Sequence, residues 1–234
     1  ILRRPSPSET LGGGVVIDHQ PKGRHKRFDE KVLKSLESLT QGSPADVLFE
    51  AALALNAAPL KEMVTKSRLE SSIAVEALKE LISNGQLIIL DNGAQSITSD
   101  ALAIALPHWN GLQEKIFQII ETYHKDMPLR RGIPREELKS KLKITPRIFN
   151  SAISLLVKQN SVLEADKSVS RPGHEIKFNG ADQFKVKELM RKFESNPYGA
   201  PSVKECQNEV GEEIVNALIE LGELVTVSQD VIFR

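Results

Sequence analysis

A chain of 234 residues exceeds what one small domain needs, and 40% apolar residues with only 5% aromatic and 26% charged is the balance of several small helical modules. Lys+Arg and Asp+Glu number 31 each, so the formal net charge is zero: no global basic field points to nucleic acid, and any such surface must be local. The single Cys206 excludes an internal disulfide and cannot alone build a zinc site, no apolar run approaches the roughly 20 residues of a membrane span, and no signal peptide opens the chain, so a reducing, cytoplasmic setting is expected.

Residues 1–27 do not read as a domain. The chain starts at Ile1 inside what looks like a strand, and Gly12-Gly13-Gly14 bends into a short β-branched strand, Val15 to Asp18, with no partner strand nearby in sequence. This reads as the last edge of a sheet whose other strands lie elsewhere, which makes the chain look like a piece of something longer. An unpaired edge invites pairing with a second copy, so weak dimerisation or a disordered start is expected. The glycines are not a phosphate loop, because no Lys-Ser/Thr and no helix follow them. The basic run Lys22, Arg24, His25, Lys26, Arg27 reads as a solvated linker, with a phosphate-contacting arm as the alternative.

From Phe28 the pattern turns helical. A helix is expected over Asp29 to Leu39 and another over Ala45 to Ala57, the latter capped by Ser43 and opened by Pro44. Leu87 to Leu90 then meets the hairpin signal Asp91-Asn92-Gly93, with Ser96 to Thr98 as the return strand. His108 and Trp109 fall at a junction, and Trp109 reads as an inter-domain packing residue rather than a base-stacking platform. The next helix is expected over Leu112 to His124; Tyr123, His124 and Tyr198 read as packing or surface residues.

The most informative stretch is Met127 to Leu142. Pro134 is placed to be the first residue of a helix, where its missing N–H costs nothing, and Glu136 and Glu137 then suit the helix dipole. Leu138 and Leu142 face inward one turn apart. Thr145-Pro146 opens a second helix through Ile148, Ile153, Leu155, Leu156 and Val157, giving a helix-turn-helix. Strands are expected at Val162 to Ala165 and Glu175 to Phe178, a helix over Gln183 to Phe193, and strands at Leu224 to Val227 and Val231 to Phe233.

The pattern repeats. An offset of about 75 residues carries Pro59 onto Pro134, Met63 onto Leu138, Ile73 onto Ile148, Ala77 onto Ala152, Leu78 onto Ile153 and Leu81 onto Leu156. Three closures share one form, Leu81…Gly85, Leu156…Asn160 and Leu218…Gly222, with Gly or Asn where a helix ends in the left-handed region. Helix, helix-turn-helix and hairpin together describe a winged helix. The fold class is therefore mainly α with small β-hairpins (α+β), in tandem winged helices at 28–106, 107–180 and 181–234.

A helix that enters a groove of nucleic acid should be basic or neutral. The second helix of the first unit carries Glu70, Glu76 and Glu80 against Lys79, and that of the third reads as carrying Glu209, Glu212 and Glu213. The second unit differs: Lys139, Lys141, Lys143, Arg147 and Lys158 occur between Leu138 and Val162 with no acid among them. Arg130, Arg131 and Arg135 precede them and Arg171 lies in the wing. Arg130, Arg131, Arg135, Lys139, Lys141, Lys143, Arg147 and Arg171 are thus the candidate RNA contacts, against the plain alternative of a solvated face. No paired carboxylates, nucleophile-base pair or metal cluster is visible, so catalysis is not expected.

Ser6-Pro-Ser-Glu-Thr10-Leu-Gly12-Gly13-Gly14-Val-Val-Ile-Asp18, Arg24-His-Lys-Arg-Phe28 and Pro128-Leu-Arg-Arg-Gly-Ile-Pro134-x-Glu-x-Leu138 resemble, in order and spacing, the bacterial selenocysteine-specific translation elongation factor family (SelB), over the whole chain. The resemblance implies a GTPase like elongation factor Tu ahead of these segments, with residues 1–18 as the last strand of its β-barrel, then a row of winged helices. It implies a whole protein that uses GTP and Mg to deliver selenocysteyl-tRNA to the ribosome at UGA codons and couples delivery to an mRNA insertion hairpin. Two departures follow. No Gly-x-x-x-x-Gly-Lys-Ser/Thr occurs, so no GTPase activity and no cofactor are expected of this chain. The family's fourth winged helix, which grips the hairpin, has no counterpart, so no hairpin-reading residue is transferred. The runner-up readings are a winged-helix DNA-binding transcription regulator and a protein-interaction scaffold.

Overall fold

The computed structural model describes residues 1–14, 28–30, 32–33, 36–37, 42–91, 98–195, 201–228 and 230–234. The expected strand at Val15 to Asp18, the basic run Lys22 to Arg27, the turn at Asn92-Gly93, Ser96-Ile97 and Tyr198 lie outside these residues. Of the helix expected over Asp29 to Leu39, the described residues between 30 and 37 are helical.

Residues 2–12 differ from expectation. Strands β1 (Leu2–Arg4) and β2 (Glu9–Gly12) pair antiparallel, Arg3 against Thr10 and Arg4 against Glu9. The segment supplies its own partner strand, because Pro5 to Ser8 turns the chain back within four residues. An unpaired start therefore does not hold here.

The first module opens with α1 (Pro44–Leu55). Ser43 Oγ accepts from the Asp46 N–H at 3.3 Å and the Asp46 carboxylate accepts from the Ser43 N–H at 2.8 Å, a reciprocal cap with Pro44 in the first turn. The helix ends two residues earlier than expected, at Asn56 (φ 58°), because Ala57 is needed in strand β3 (Ala57–Pro59). Then come α2 (Leu60–Ser67), α3 (Ser71–Ser83), β4 (Leu87–Ile89) and β5 (Leu102–Ala105), with sheet order β3-β5-β4. The second module repeats this with α4 (Leu106–Asp126), β6 (Ile133–Pro134), α5 (Arg135–Leu142), α6 (Pro146–Lys158), β7 (Leu163–Ala165) and β8 (Ser168–Ser170), in order β6-β8-β7. The third has α7 (Gly180–Ser195), α8 (Val203–Val210), α9 (Glu212–Leu221), β9 (Val225–Thr226) and β10 (Ile232–Phe233). Its third strand is reduced to a bridge between Ser202 and Val231.

The 75-residue offset holds to the residue: α2 maps onto α5 and α3 onto α6 at both ends. The three predicted closures also form. Gly85, Asn160 and Gly222 have φ of 68°, 53° and 79°. The next N–H in each case reaches back to Leu81, Leu156 or Leu218 at 2.9 Å, which satisfies a carbonyl the helix leaves open.

Three expectations need correction. Pro134 is the last residue of β6 and the N-cap, with α5 starting at Arg135, because Ile133 and Pro134 pair with Val169 and Ser168 of β8 and the Arg135 N–H donates to the Lys167 carbonyl at 2.9 Å. The return strand of the second hairpin is Ser168–Ser170, not Glu175 to Phe178: Asp166 and Lys167 both adopt positive φ (49° and 66°) and close a two-residue turn that carries no Asn-Gly or Asp-Gly signal. In the third unit Glu209 lies on α8, where it pairs with Lys192 at 2.6 Å, and not on the second helix.

The chain divides into two units, Ile1–Trp109 and Asn110–Arg234. The first has a core of Leu48, Ala52, Leu60, Met63, Leu78 and Leu81. The second contains the buried Ile116, Ile120, Ile133, Leu138, Phe149, Ile153 and Val169, and a further cluster of Leu189, Phe193, Cys206, Val215, Leu218 and Ile232. Trp109 is buried at 3% exposure, which leaves no face for a stacked base. Gly132 sits where a Cβ would lie 2.5 Å from the Val169 carbonyl oxygen, a backbone atom that cannot swing aside. Gly132→Ala is expected to destabilise the second unit by about 1–3 kcal/mol, measured by urea unfolding, with Gly111→Ala as the unhindered control.

Candidate nucleic-acid interface

Four stretches place the candidate cations: the Met127–Gly132 link, α5, the start of α6 and the β7–β8 wing. Thr145 caps α6, its Oγ1 accepting from the Ile148 N–H at 3.4 Å, and Pro146 occupies the first turn as expected. The face of α6 that carries Arg147, Asn150, Ser154 and Lys158 is exposed and free of carboxylates. By contrast α3 carries Glu76 and Glu80, and α9 carries Glu212, Glu213 and Glu220.

Tertiary structure adds what the linear count omitted. Arg130 Nη1 donates to Glu220 Oε1 at 3.1 Å, and the Arg131 N–H donates to Glu220 Oε2 at 2.7 Å. Arg131 Nη1 reaches Asp166 Oδ2 at 3.1 Å. Arg135 pairs with Glu164, donates to Asn150 Oδ1 at 2.9 Å and lies 5.1 Å above the Phe149 ring. Lys139 pairs with Glu136, and Lys141 with Glu137 at 2.9 Å, both along α5. Arg171 stacks on Phe117 at 3.8 Å, donates to the Ser161 carbonyl at 2.6 Å and meets Glu121 at 3.5 Å. Lys143 is exposed and ends α5 in the left-handed conformation, φ 54°; Arg147 is exposed at the start of α6.

The eight residues thus separate by what holds them. Arg130, Arg135 and Arg171 are partly buried structural groups: the Glu220 carboxylate accepts from Arg130, while Arg135 and Arg171 each have two acceptors and an aromatic face. Lys139 and Lys141 make only exposed pairs within one helix, worth about 0–1 kcal/mol each, which a phosphate can replace. Lys143 and Arg147 lie next to them, exposed, at the end of α5 and the start of α6. The cleft between the second and third modules, about 480 Å³, is lined by Arg130, Arg131 and Lys167 but equally by Asp166, Glu213 and Glu220. Its mixed charge gives phosphate no net attraction.

One pair of residues escaped the sequence reading. His124 and His174 stack with ring centroids 3.6 Å apart and planes 17° from parallel. His124 Nε2 accepts from the Arg171 N–H at 3.1 Å, while His174 Nε2 donates to the Arg130 carbonyl at 2.8 Å. His124 therefore keeps its proton on Nδ1, a buried atom with no partner among the described residues. Burial, then the neighbouring His174 and Arg171, push the His124 pKa down from 6.5 to about 4. The fold holds this ring neutral, so its contribution to stability is complete above pH 6.5. It is lost as the pH falls towards 4, where only the unfolded chain takes up the proton. The stability of the second unit should accordingly fall across this window, and His124→Phe should flatten the slope while lowering stability at pH 7 by about 1 kcal/mol for the lost acceptor, both followed by chemical denaturation.

Residues 117–170, from within α4 to the end of β8, match the family described as the winged helix of elongation factor SelB. Over 98% of its length the chain is 25% identical to the selenocysteine-specific elongation factor of Desulfomicrobium baculatum, and it spans 37% of that relative. The match falls on the module in which the sequence motif, the capped helix-turn-helix and the candidate cations coincide. In sequence the chain is thus similar to a selenocysteine-specific elongation factor over nearly its whole length, and in its second module to the winged helix of SelB.

Proposed function

We propose that this chain is the arm of a selenocysteine-specific elongation factor that couples delivery of selenocysteyl-tRNA at UGA codons to an mRNA insertion hairpin, acting in the cytoplasm as a spacer whose second and third modules are held to one another, with one weak RNA-facing surface. The observation that carries the spacer role is the Glu220 clasp. Its carboxylate takes a side-chain donor from Arg130 and a backbone donor from Arg131, while Leu129 packs against the core of the third module. A bidentate carboxylate across a module boundary fixes orientation as well as distance. An arm that must relate two distant events on the ribosome needs that stiffness.

The RNA-facing surface is Lys139, Lys141, Lys143 and Arg147. A handful of phosphate contacts gives weak affinity that falls steeply with salt. Binding rather than catalysis is the role proposed here; GTP and Mg would be handled by a GTPase part, and the insertion hairpin mainly by a further winged helix. The transcription-regulator reading is disfavoured by the acidic faces of α3 and α9. No helix among the described residues is long and apolar enough to cross a membrane.

Fluorescence anisotropy against the insertion hairpin, an unrelated hairpin and duplex DNA, each over a salt series, tests the RNA surface. Weak, salt-steep binding to both hairpins is expected, lost in the Lys143→Glu/Arg147→Glu double variant. Preference for duplex DNA would promote the regulator, and no binding to any of them would leave a protein scaffold. For the spacer role, Glu220→Ala should enlarge the radius of gyration in small-angle scattering with helix content unchanged. An unaltered scattering curve would show that the clasp does not set the stiffness.

A further inference from the structure

We propose that the first module carries a socket for an aromatic side chain of a protein partner, next to a lysine that takes a carboxylate from the same segment. Between α2, α3 and the residues leading into β5 lies a groove of about 480 Å³ walled by Leu60, Val64, Ala74, Val75 and Leu78. Val75 is 49% exposed, an apolar surface that the module leaves to water.

The second module shows what fills the equivalent space. The 75-residue offset that superposes α2 on α5 and α3 on α6 places Phe149 at the position of Ala74 and Arg135 at that of Leu60. Phe149 is completely buried, with the Arg135 guanidinium above its ring. Glu164, which holds Arg135, stands where the first module has Ile89. One repeat therefore plugs the cleft between its helix-turn-helix and its wing with its own phenyl ring and an ion pair. The other has only the buried methyl group of Ala74 there, with Leu60 and Leu78 also buried, and leaves Val75 beside it open to water. The shape that fits is known from the molecule itself: a planar aromatic ring entering beside the middle of α3.

The rim indicates what accompanies the ring. Lys61 pairs with Asp100 at 2.6 Å, whereas Lys79, also on the groove, has no ion pair among the described residues. A single carboxylate adjacent to the aromatic residue satisfies it. A nucleobase offers the same flat shape, but it brings a phosphate on either side, and α3 and its N-cap expose Glu76, Glu80 and Glu70 to that backbone. A peptide needs only one charge, at Lys79.

The test uses the 234-residue chain, methyl-labelled and followed by NMR. The probes are a blocked Gly-Phe-Asp-Gly peptide, its Gly-Ala-Asp-Gly and Gly-Phe-Lys-Gly counterparts, and adenosine monophosphate. Saturable shifts of Val64, Val75 and Leu78 with the Phe-Asp peptide, absent with the Ala version, are expected. Ala74→Phe, which installs the plug of the second module, should abolish them, and Lys79→Glu should weaken the Phe-Asp peptide about threefold and reverse the preference towards Phe-Lys. Equal shifts from the Phe and Ala peptides, or undiminished shifts in Ala74→Phe, overturn the socket. Tighter binding of adenosine monophosphate to the same methyls overturns the protein partner. Should Ala74→Phe lose its helical circular dichroism, the exposed Lys79→Glu variant decides: unchanged affinity for both Phe peptides also overturns the proposal.

Discussion

Each module is closed by one hydrogen bond in the same place. The N–H of the first helix-turn-helix residue, Leu60, Arg135 or Val203, donates to the carbonyl just ahead of the wing's return strand, on Ala101, Lys167 or Asp230, at 3.0, 2.9 and 3.2 Å. That bond ties a local element, the start of a helix, to a strand that arrives 27 to 41 residues later. A two-stranded hairpin alone is marginal in water. Attached to the residue before α2, α5 or α8 it becomes the third layer over Leu81, Leu156 or Leu218, and the helix-turn-helix gains a fixed partner. Where this strand shrinks to the Ser202–Val231 bridge the fold still closes, because the hydrogen bond from Val203 remains.

Charge is spent differently in the three modules. In the second, the arginines that flank the acid-free run, Arg130, Arg131, Arg135 and Arg171, meet Glu220, Asp166, Glu164 and Glu121 in space, so part of what looks like a phosphate-binding surface serves as internal scaffolding. An arginine that lies on Phe117 or Phe149 and donates to two oxygens is too well satisfied to leave for a phosphate. The lysines along α5 are not, since pairs three or four residues apart on an exposed helix contribute little. The candidate RNA surface therefore narrows to one helix and the start of the next.

The same division explains why two modules with matching helices differ in what they offer. Phe149 and Arg135 seal the second module, whereas Ala74 and Leu60 leave the first open at the corresponding place. The backbone is conserved between the repeats while the side chains redistribute volume and charge, which lets one module act as structure and its neighbour present a groove.

The local chemistry of the chain determined much of this by itself. Ser43-Pro44 and Thr145-Pro146 open helices because a hydroxyl and a fixed φ suit the first turn, and Gly85, Asn160 and Gly222 end helices because few other residues tolerate a left-handed backbone. The spacing of Leu, Ile and Ala at 75 residues revealed the repeat for the same reason: periodicity is set by helix geometry within a few turns. The short strands were decided elsewhere. Ala57–Pro59, Leu102–Ala105 and Ser168–Ser170 have little intrinsic β preference and are extended only because a neighbouring strand hydrogen-bonds them. Glu220 reaches Arg130 from 90 positions away, and His124 meets His174 from 50. No local pattern encodes such distances; only packing of the modules brings the partners together, and with them the difference between a cation that can bind phosphate and one that holds the fold.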